Sequence, residues 1–578
     1  MCLFHISRVN FRHFTSPPRF FSTYSVSFGL AVKYANNSTI DNESGAALMK
    51  DLRNPERQKM GIGHFVQRAA ELHPKRVAID DLLTERKLTY AELEARINRL
   101  GRALVRLGVC KGQFVAVMLR NEHALVETVF ACARIGAVVA PLNVRLIKRE
   151  VEEYNRDHEC RVVVAGAEFT DRFNIDQTDV AIVVGTNRRK GWKSYESLIE
   201  AESSDKLPAI TSLDDPYRLV MTGGTTGKSK GVLHSQGGSI FTVLADIAEY
   251  GIGRGWKTIS ILPGYHVAGM EWGMFTIFAR AGTVIFPAAA SFDPHLYLSE
   301  VHSRKVEYLP LVPAVINLLY DAWDGKPLCG PRTVVTTAAP TPLVLRRKLT
   351  EMFPDANIVA AAGLSESLNL ATQNAEEFLS EPAAVGEPHL DTRVVILDDD
   401  DQPVPRGQPG NIVMRNFNTA LGYHFNEEAS AATWRPRKGD PEGLYWCFTG
   451  DVGVMDEAGK ITLIDRLKDI IKTGGETVPS IEVETVFASH PSVRECAAIG
   501  VNDDRWGEAI VLIVVPKEGA GRDEDLAGAL FSWGRDQISA YKLPKKVAFV
   551  DSLPRSHVGK ILKRDLRVSK FDRLFTEI

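Results

Sequence analysis

Helices and short apolar strands alternate along most of this chain, and that alternation restricts the fold more than any other feature. Thr89-Tyr90-Ala91-Glu92 is a capping box opening a helix that runs to Leu107 and stops at Gly108. Residues 114–119 form an apolar run of strand length, a helix follows over 122–135 and ends at Gly136, and residues 138–141 read as a second strand. The pattern recurs with strands at 162–165, 180–184 and 258–262, a helix over 271–281, and a strand at 284–286. Buried strands alternating with helices imply α/β layers with largely parallel sheets.

A chain of 578 residues with 44% hydrophobic content supports two or more domains. After Glu387 the texture changes to strands at 393–397 and 411–415 with Asp- and Pro-rich turns between them. The expected division is a large domain over 50–467, its β-rich part over about 388–467, and a small α+β lid over 468–578. The lid should contain helices at 480–489 and 524–538 and strands at 496–501, 510–515 and 547–550. Residues 1–45 form an extension, in which 1–40 lack Asp and Glu but carry Arg8, Arg12, Arg19 and Lys33. That composition fits a mitochondrial transit peptide and a matrix location, with the cytoplasm as the alternative. Residues 575–578 do not form a Ser-Lys-Leu peroxisomal tail.

Lys plus Arg (69) nearly balance Asp plus Glu (72), so no nucleic-acid or membrane-surface role is indicated. Seven scattered cysteines indicate neither a zinc site nor a disulfide framework. No apolar run reaches the roughly 18–20 residues of a bilayer span.

One loop is built for polyphosphate. Met221-Thr222-Gly223-Gly224-Thr225-Thr226-Gly227-Lys228-Ser229-Lys230-Gly231 combines backbone donors, hydroxyls and two lysines between apolar flanks. A Gly/Ser/Thr surface linker has similar composition but seldom pairs lysines with so many threonines. The P-loop pattern fails at Thr222, where glycine is required, and Gly231-Val232-Leu233-His234 reads as a strand where a P-loop would open a helix. A helix starts only at Ser235, an N-cap. The device is strand–loop–strand, which leaves a P-loop kinase or a non-catalytic nucleotide-binding module as the second reading.

Five further stretches carry reactive groups. Gly363-Leu364-Ser365-Glu366 follows an apolar run, placing a hydroxyl and a carboxylate at a strand end, where α/β sheets bind ligands. Thr449-Gly450-Asp451 follows Tyr445-Trp446-Cys447-Phe448 into a tight turn. Asp465-Arg466-Leu467-Lys468-Asp469 alternates charge as a solvated turn would, and Lys472-Thr473-Gly474-Gly475-Glu476 is a second glycine-paired loop. Pro554-Arg555-Ser556-His557-Val558-Gly559-Lys560-Ile561 places a lysine after a glycine turn, ahead of the basic residues Lys563, Arg564 and Arg567.

In this order the stretches resemble the adenylate-forming superfamily of acyl-CoA synthetases, luciferase and peptide-synthetase adenylation domains, over roughly residues 60–568. Phe130-Ala131-Cys132-Ala133-Arg134-Ile135-Gly136-Ala137 and Pro141-Leu142-Asn143 are similar to its N-terminal half. The resemblance implies activation of a carboxylic acid, expected to be fatty, by ATP and Mg2+ to an acyl-adenylate, then transfer to CoA. The alternative is an aryl acid or a different acceptor; the sequence carries no phosphopantetheine carrier domain after the lid, which favours CoA.

It also implies roles for individual residues. Thr222, Gly223, Gly224, Thr225, Thr226, Gly227, Lys228 and Lys230 would hold the β- and γ-phosphates, and Ser365 the α-phosphate. Glu366 would hold Mg2+, a hard cation suited to carboxylate and phosphate oxygen. Asp451 and Arg466 would meet the ribose. Lys560 would bridge the carboxylate and α-phosphate, Lys468 would be the hinge of the lid, and Lys472, Gly474, Gly475 and Glu476 would flank the thiol channel after it swings. Pro263-Gly264-Tyr265-His266-Val267-Ala268-Gly269 resembles the acyl-pocket motif, with His266 lining or gating the pocket, although a core histidine is as good a reading. Met270, Trp272, Met274 and Phe275 read more naturally as core than as pocket. Two departures touch the adenine end: Ala362 stands where an aromatic residue is usual, and Thr337-Ala338-Ala339-Pro340 replaces Gly-Gly-Ala-Pro.

Overall fold

A computed structural model describes residues 59–578 apart from 187–188, 223–229, 290, 339–340, 467, 474–475, 504, 556–560, 570, 572 and 577–578. The extension expected over 1–45 lies outside the described residues.

The local signals around the first helices act as expected. Glu92 N donates to Thr89 Oγ1 at 3.3 Å and Thr89 N donates to Glu92 Oε2 at 2.7 Å, closing the capping box before helix Tyr90–Arg106. Gly136, at φ 74°, ends helix His123–Ile135 in the left-handed conformation that glycine adopts without steric cost. Strands Phe114–Met118 and Val138–Pro141, on either side of that helix, pair in parallel.

Two large sheets result. The first has eight strands among the described residues and runs in parallel from Pro216–Thr222 through Val138–Pro141, Phe114–Met118, Val162–Gly166 and Val180–Val184 to Lys193–Ser194. At its other edge Lys230–Ser235 and then Gly422–Tyr423 add antiparallel. The second, of fourteen strands among the described residues, has a parallel block that includes Thr333–Thr336 and Asn357–Leu364. From Leu368–Gln373 onward it turns antiparallel, so the expectation of largely parallel sheets holds for that block and not for the whole. The strands expected as a separate β-rich part belong to this same sheet, because Ala384–Pro388 pairs with both Leu368–Gln373 and Ile461–Arg466.

The helix expected over 271–281 is instead a π-helix, Ala268–Phe275, followed by one α-turn, Thr276–Ala279. Its residues from Gly269 to Phe275 are all buried, so no polar face marks a 3.6-residue period. Met270, Trp272, Met274 and Phe275 are core residues, packed with helices Tyr90–Arg106 and His123–Ile135. The C-terminal segment builds its own sheet, of six strands among the described residues, centred on Gly507–Pro516. Helices Ser480–Ala488 and Glu524–Gln537 contribute Val483, Phe487, Leu530 and Phe531 to its core.

Buried histidines give the fold a two-sided pH dependence. Burial pulls His123 and His389 down, but hydrogen bonds to Asp81 and Glu196, and to Asp246 and Asp391, outweigh it and hold each at about 9. Burial depresses His158 to about 4, with His424 adding to it, and His234 to about 3, with Arg218 adding to it. The raised pair contributes stability that is complete below pH 6.5 and lost as pH rises toward 9; the depressed pair contributes stability that is complete above pH 6.5 and lost on acidification. Urea-unfolding midpoints should therefore fall on both sides of about pH 6.5, by of order 1 kcal/mol per group. His123→Asn, which keeps a donor for Asp81 without titrating, should flatten the alkaline arm; an unchanged arm contradicts the assignment.

Candidate functional site

The two strands around the glycine-rich loop form an antiparallel hairpin, with Thr222 opposite Lys230 and Met221 opposite Gly231. Thr222 Oγ1 donates to the Lys230 carbonyl at 3.4 Å. Gly223, Gly224, Thr225, Thr226, Gly227 and Lys228 lie outside the described residues. Ser235 accepts from Gly238 N at 3.0 Å and caps helix Gln236–Glu249, which makes the unit strand–loop–strand and not a P-loop.

A charged pair braces the hairpin from below. Arg218 lies in the first strand and Glu271 in the π-helix, both fully buried, 2.5 Å apart. Tyr217 OH and Ser239 Oγ also donate to Glu271, at 2.9 and 3.2 Å. The arginine breaks the apolar run 217–221, a signal visible in sequence; its partner, more than fifty residues away, is not.

Ser365 and Glu366 occupy the turn between strands Asn357–Leu364 and Leu368–Gln373. The hairpin is so tight that a Cβ on Gly363 would run into the Leu368 carbonyl oxygen, hence the glycine. Glu366 Oε1 accepts from Tyr423 OH at 2.9 Å, and the Lys230 ammonium lies over the Tyr423 ring at 4.7 Å. Burial and the neighbouring Glu366 keep the Tyr423 phenol protonated, so it stays a donor. Main-chain bonds fix Tyr423 in place: Leu421 N to Leu233 O at 2.8 Å, His424 N to Gly231 O at 2.8 Å, and Ala420 N to Glu366 O at 3.2 Å. Segment 420–424 thus joins the glycine-rich hairpin to the Glu366 turn, and sequence reasoning missed it. A lone tyrosine after Gly422 carries no local signal; only its pairing with Val232 and Leu233 gives it a place.

Asp451 and Arg466 face one another on adjacent strands, with Arg466 Nε 3.2 Å from Asp451 Oδ1. Burial raises the Cys447 thiol, and the charges of Glu366 and Asp451 raise it further. Asp465, in a stretch that could pass for a solvated turn, is buried and accepts from Ser480 N and Ser480 Oγ, both at 2.5 Å. It caps the first lid helix from the large domain. Lys468 is exposed beside it; loss of hydration and the Arg466 charge lower its pKa, while Arg567 donates to its carbonyl at 3.2 Å and to Asp469 at 3.0 Å.

Lys472 and Glu476 pair within the lid's own sheet, Lys472 opposite Thr477 and Thr473 opposite Glu476. Gly474, Gly475 and Lys560 lie outside the described residues; Arg555 and Ile561, on either side of the Lys560 turn, form an antiparallel bridge.

His266 is buried at the head of the π-helix, with its N–H on Pro263 O at 3.0 Å and its carbonyl accepting from Met270 N at 3.1 Å. Asn121 holds this loop: its Nδ2 donates to Leu262 O at 2.8 Å and its Oδ1 accepts from Gly264 N at 2.8 Å. Ala338 and Ala362 lie at the C-terminal ends of neighbouring parallel strands, the place where open α/β sheets bind ligands. Ala338 has φ 72°, a left-handed conformation that costs a non-glycine residue about 1 kcal/mol. Ala339 lies outside the described residues.

The arrangement brings a carboxylate, a tyrosine hydroxyl and a lysine together beside the glycine-rich hairpin, and sets a carboxylate–arginine pair on strands Tyr445–Met455 and Ile461–Arg466. Among the described residues no group of three His, Cys, Asp or Glu side chains gathers to cage a metal ion. Glu366, linked through Tyr423 to the glycine-rich hairpin, fits Mg2+, a cation that keeps most of its ligands as water and phosphate oxygen.

The family model described as "AMP-binding enzyme" matches residues 66–424, and its C-terminal domain model matches 482–560. The chain is 31% identical over 526 residues to a feruloyl-CoA synthase of an Amycolatopsis species, covering 88% of this chain and 99% of that one. It is 31% identical over 532 residues to an indoleacetate–CoA ligase of Aromatoleum aromaticum, covering 90% and 100%. Among solved structures, ATP-bound MatB from Rhodopseudomonas palustris superposes with a TM-score of 0.77 at 26% identity, covering 88% of this chain and 98% of that one. No helix among the described residues is long and apolar enough to cross a membrane. The chain belongs to the AMP-binding enzyme family and is an AMP-forming acid–CoA ligase.

Proposed function

We propose that the enzyme activates an aryl or arylalkanoic acid, in preference to the fatty acid expected from sequence. The observation that carries this reading is the near full-length similarity to feruloyl- and indoleacetate-activating ligases. A carboxylate oxygen of the acid attacks the α-phosphorus of ATP, the bond to the β-phosphate bridging oxygen breaks, and pyrophosphate leaves. The CoA sulfur then attacks the acyl carbonyl, the bond to AMP breaks, and the thiol gives up its proton.

Both reactants of the first step are anions, so the site must supply donors and positive charge as the new bond forms. Thr222 and Lys230, with the loop between them, hold the β- and γ-phosphates. Ser365 takes the α-phosphate, and Asp451 with Arg466 takes the ribose. Glu366 holds Mg2+, which would neutralise phosphate charge; Tyr423 fixes the rotamer of that carboxylate. Lys560 bridges the two reacting anions, and rotation about Lys468 replaces it with Lys472, Gly474, Gly475 and Glu476 for the thiol step. His266 borders the acid, and Ala362 with Ala338 and Ala339 leaves the adenine without an aromatic stack.

Three measurements test this. A carboxylic-acid panel read by pyrophosphate release with CoA present should give cinnamate- and arylacetate-type acids a kcat/KM at least about tenfold above long-chain fatty acids. A preference for the fatty acids overturns the aryl reading. Lys560→Ala should lose about a hundredfold or more in adenylation while still transferring a supplied acyl-adenylate to CoA; wild-type pyrophosphate exchange would remove Lys560 from the first step. Tyr423→Phe deletes one hydrogen bond to a charged group and should weaken Mg2+-dependent adenylation by about tenfold or more with little change in Tm. An unchanged Mg2+ dependence contradicts the role given to Tyr423.

A further inference from the structure

Behind the site a chain of buried polar groups connects segments that have no sequence relation to one another. Trp272, on the π-helix that follows His266, donates from Nε1 to Asn369 Oδ1 at 3.2 Å. Asn369 Nδ2 donates to Asp246 Oδ1 at 2.8 Å, on the helix that follows the phosphate hairpin. Asp246 Oδ1 lies 3.3 Å from His389 Nε2, and His389 Nδ1 lies 2.7 Å from Asp391 Oδ1. All five side chains are almost fully buried, none more than 4% exposed.

Asn369 is the centre of this chain and stands three residues after Glu366. Its amide has a single productive orientation, because Oδ1 faces a donor and Nδ2 faces a carboxylate. Its backbone is held as firmly: the Asn369 carbonyl accepts from Thr392 Oγ1 at 2.7 Å and from Asn416 Nδ2 at 3.2 Å. Asn416 Nδ2 also reaches the Ser367 carbonyl at 2.5 Å. Between them Leu368 has φ 52°, a conformation that costs a bulky residue free energy and persists only where its surroundings over-determine it. The Ser365–Glu366 turn is therefore held in a strained backbone by Asn369 and its partners, and the same amide grips the helix behind the His266 loop.

We infer that Asn369 is a positioning residue for adenylation, which fixes the distance between the acid held at the His266 loop and the α-phosphate and cation held at the Ser365–Glu366 turn. The inference rests on the site roles proposed above. Its chemistry requires no new contact with substrate: a displacement of order 1 Å between two reacting anions costs up to about a hundredfold in rate. Asp246 extends the link to the helix behind the phosphate hairpin, and His389 holds Asp246 from the far side.

Asn369→Ala and Trp272→Phe separate positioning from stability; the second deletes only the indole donor and serves if the first does not fold. Each should lower kcat for pyrophosphate exchange by about tenfold or more and raise KM for the acid, with KM for ATP and transfer from supplied acyl-adenylate within about threefold. The double variant should be less than additive, as expected for two ends of one hydrogen bond. Wild-type exchange kinetics with only a lowered Tm, or equal losses in both half-reactions, overturns the inference. Glu366→Gln is run alongside: full adenylation in that variant defeats the site assignment, whereas its loss beside normal Asn369 and Trp272 variants defeats only the positioning role.

Discussion

The buried pair Arg218–Glu271 is the interaction on which the arrangement of the site depends. Two fully buried charges 2.5 Å apart cost several kcal/mol each to dehydrate, and their attraction offsets this only with good geometry and further hydrogen bonds. Tyr217 and Ser239 supply such bonds to Glu271. The pair locks the root of the glycine-rich hairpin to the π-helix behind His266, so the hairpin and the His266 loop share one base.

On that base the two large sheets are joined a second time, at the front. Segment 420–424 lies across the edge of the hairpin through Gly422 and Tyr423 and carries the hydroxyl that orients Glu366. The lid is attached through Asp465, which caps its first helix from the last strand of the large sheet. Lys468 follows directly, exposed beside that buried contact.

Much of the site is legible in the residues alone. The strand–loop–strand form of 222–230 and the helix cap at Ser235 both occur where local chemistry calls for them, because turns and caps are made by neighbouring residues. Asp451 and Arg466, both singled out in the sequence, do stand side by side on adjacent strands. Sequence reasoning fails where a residue's environment is made by distant chain. Asp465 looks solvated because its neighbours alternate in charge, yet it is buried by a helix fifteen residues on. The π-helix is hidden for a related reason: a segment buried on all sides has no polar face to reveal its period.

The sequence by itself determined the alternation of helices and strands, the donor-rich loop, and the ordered carboxylates and lysines that mark the chemistry. These are local properties of backbone preference and side-chain type. Only the tertiary structure decided that Tyr423 meets Glu366, that Arg218 finds Glu271, and that Asn369 joins Trp272 to Asp246. Buried polar groups must be paired, but which group pairs with which is set by sheet register and layer packing, and neither is encoded within any single stretch of chain.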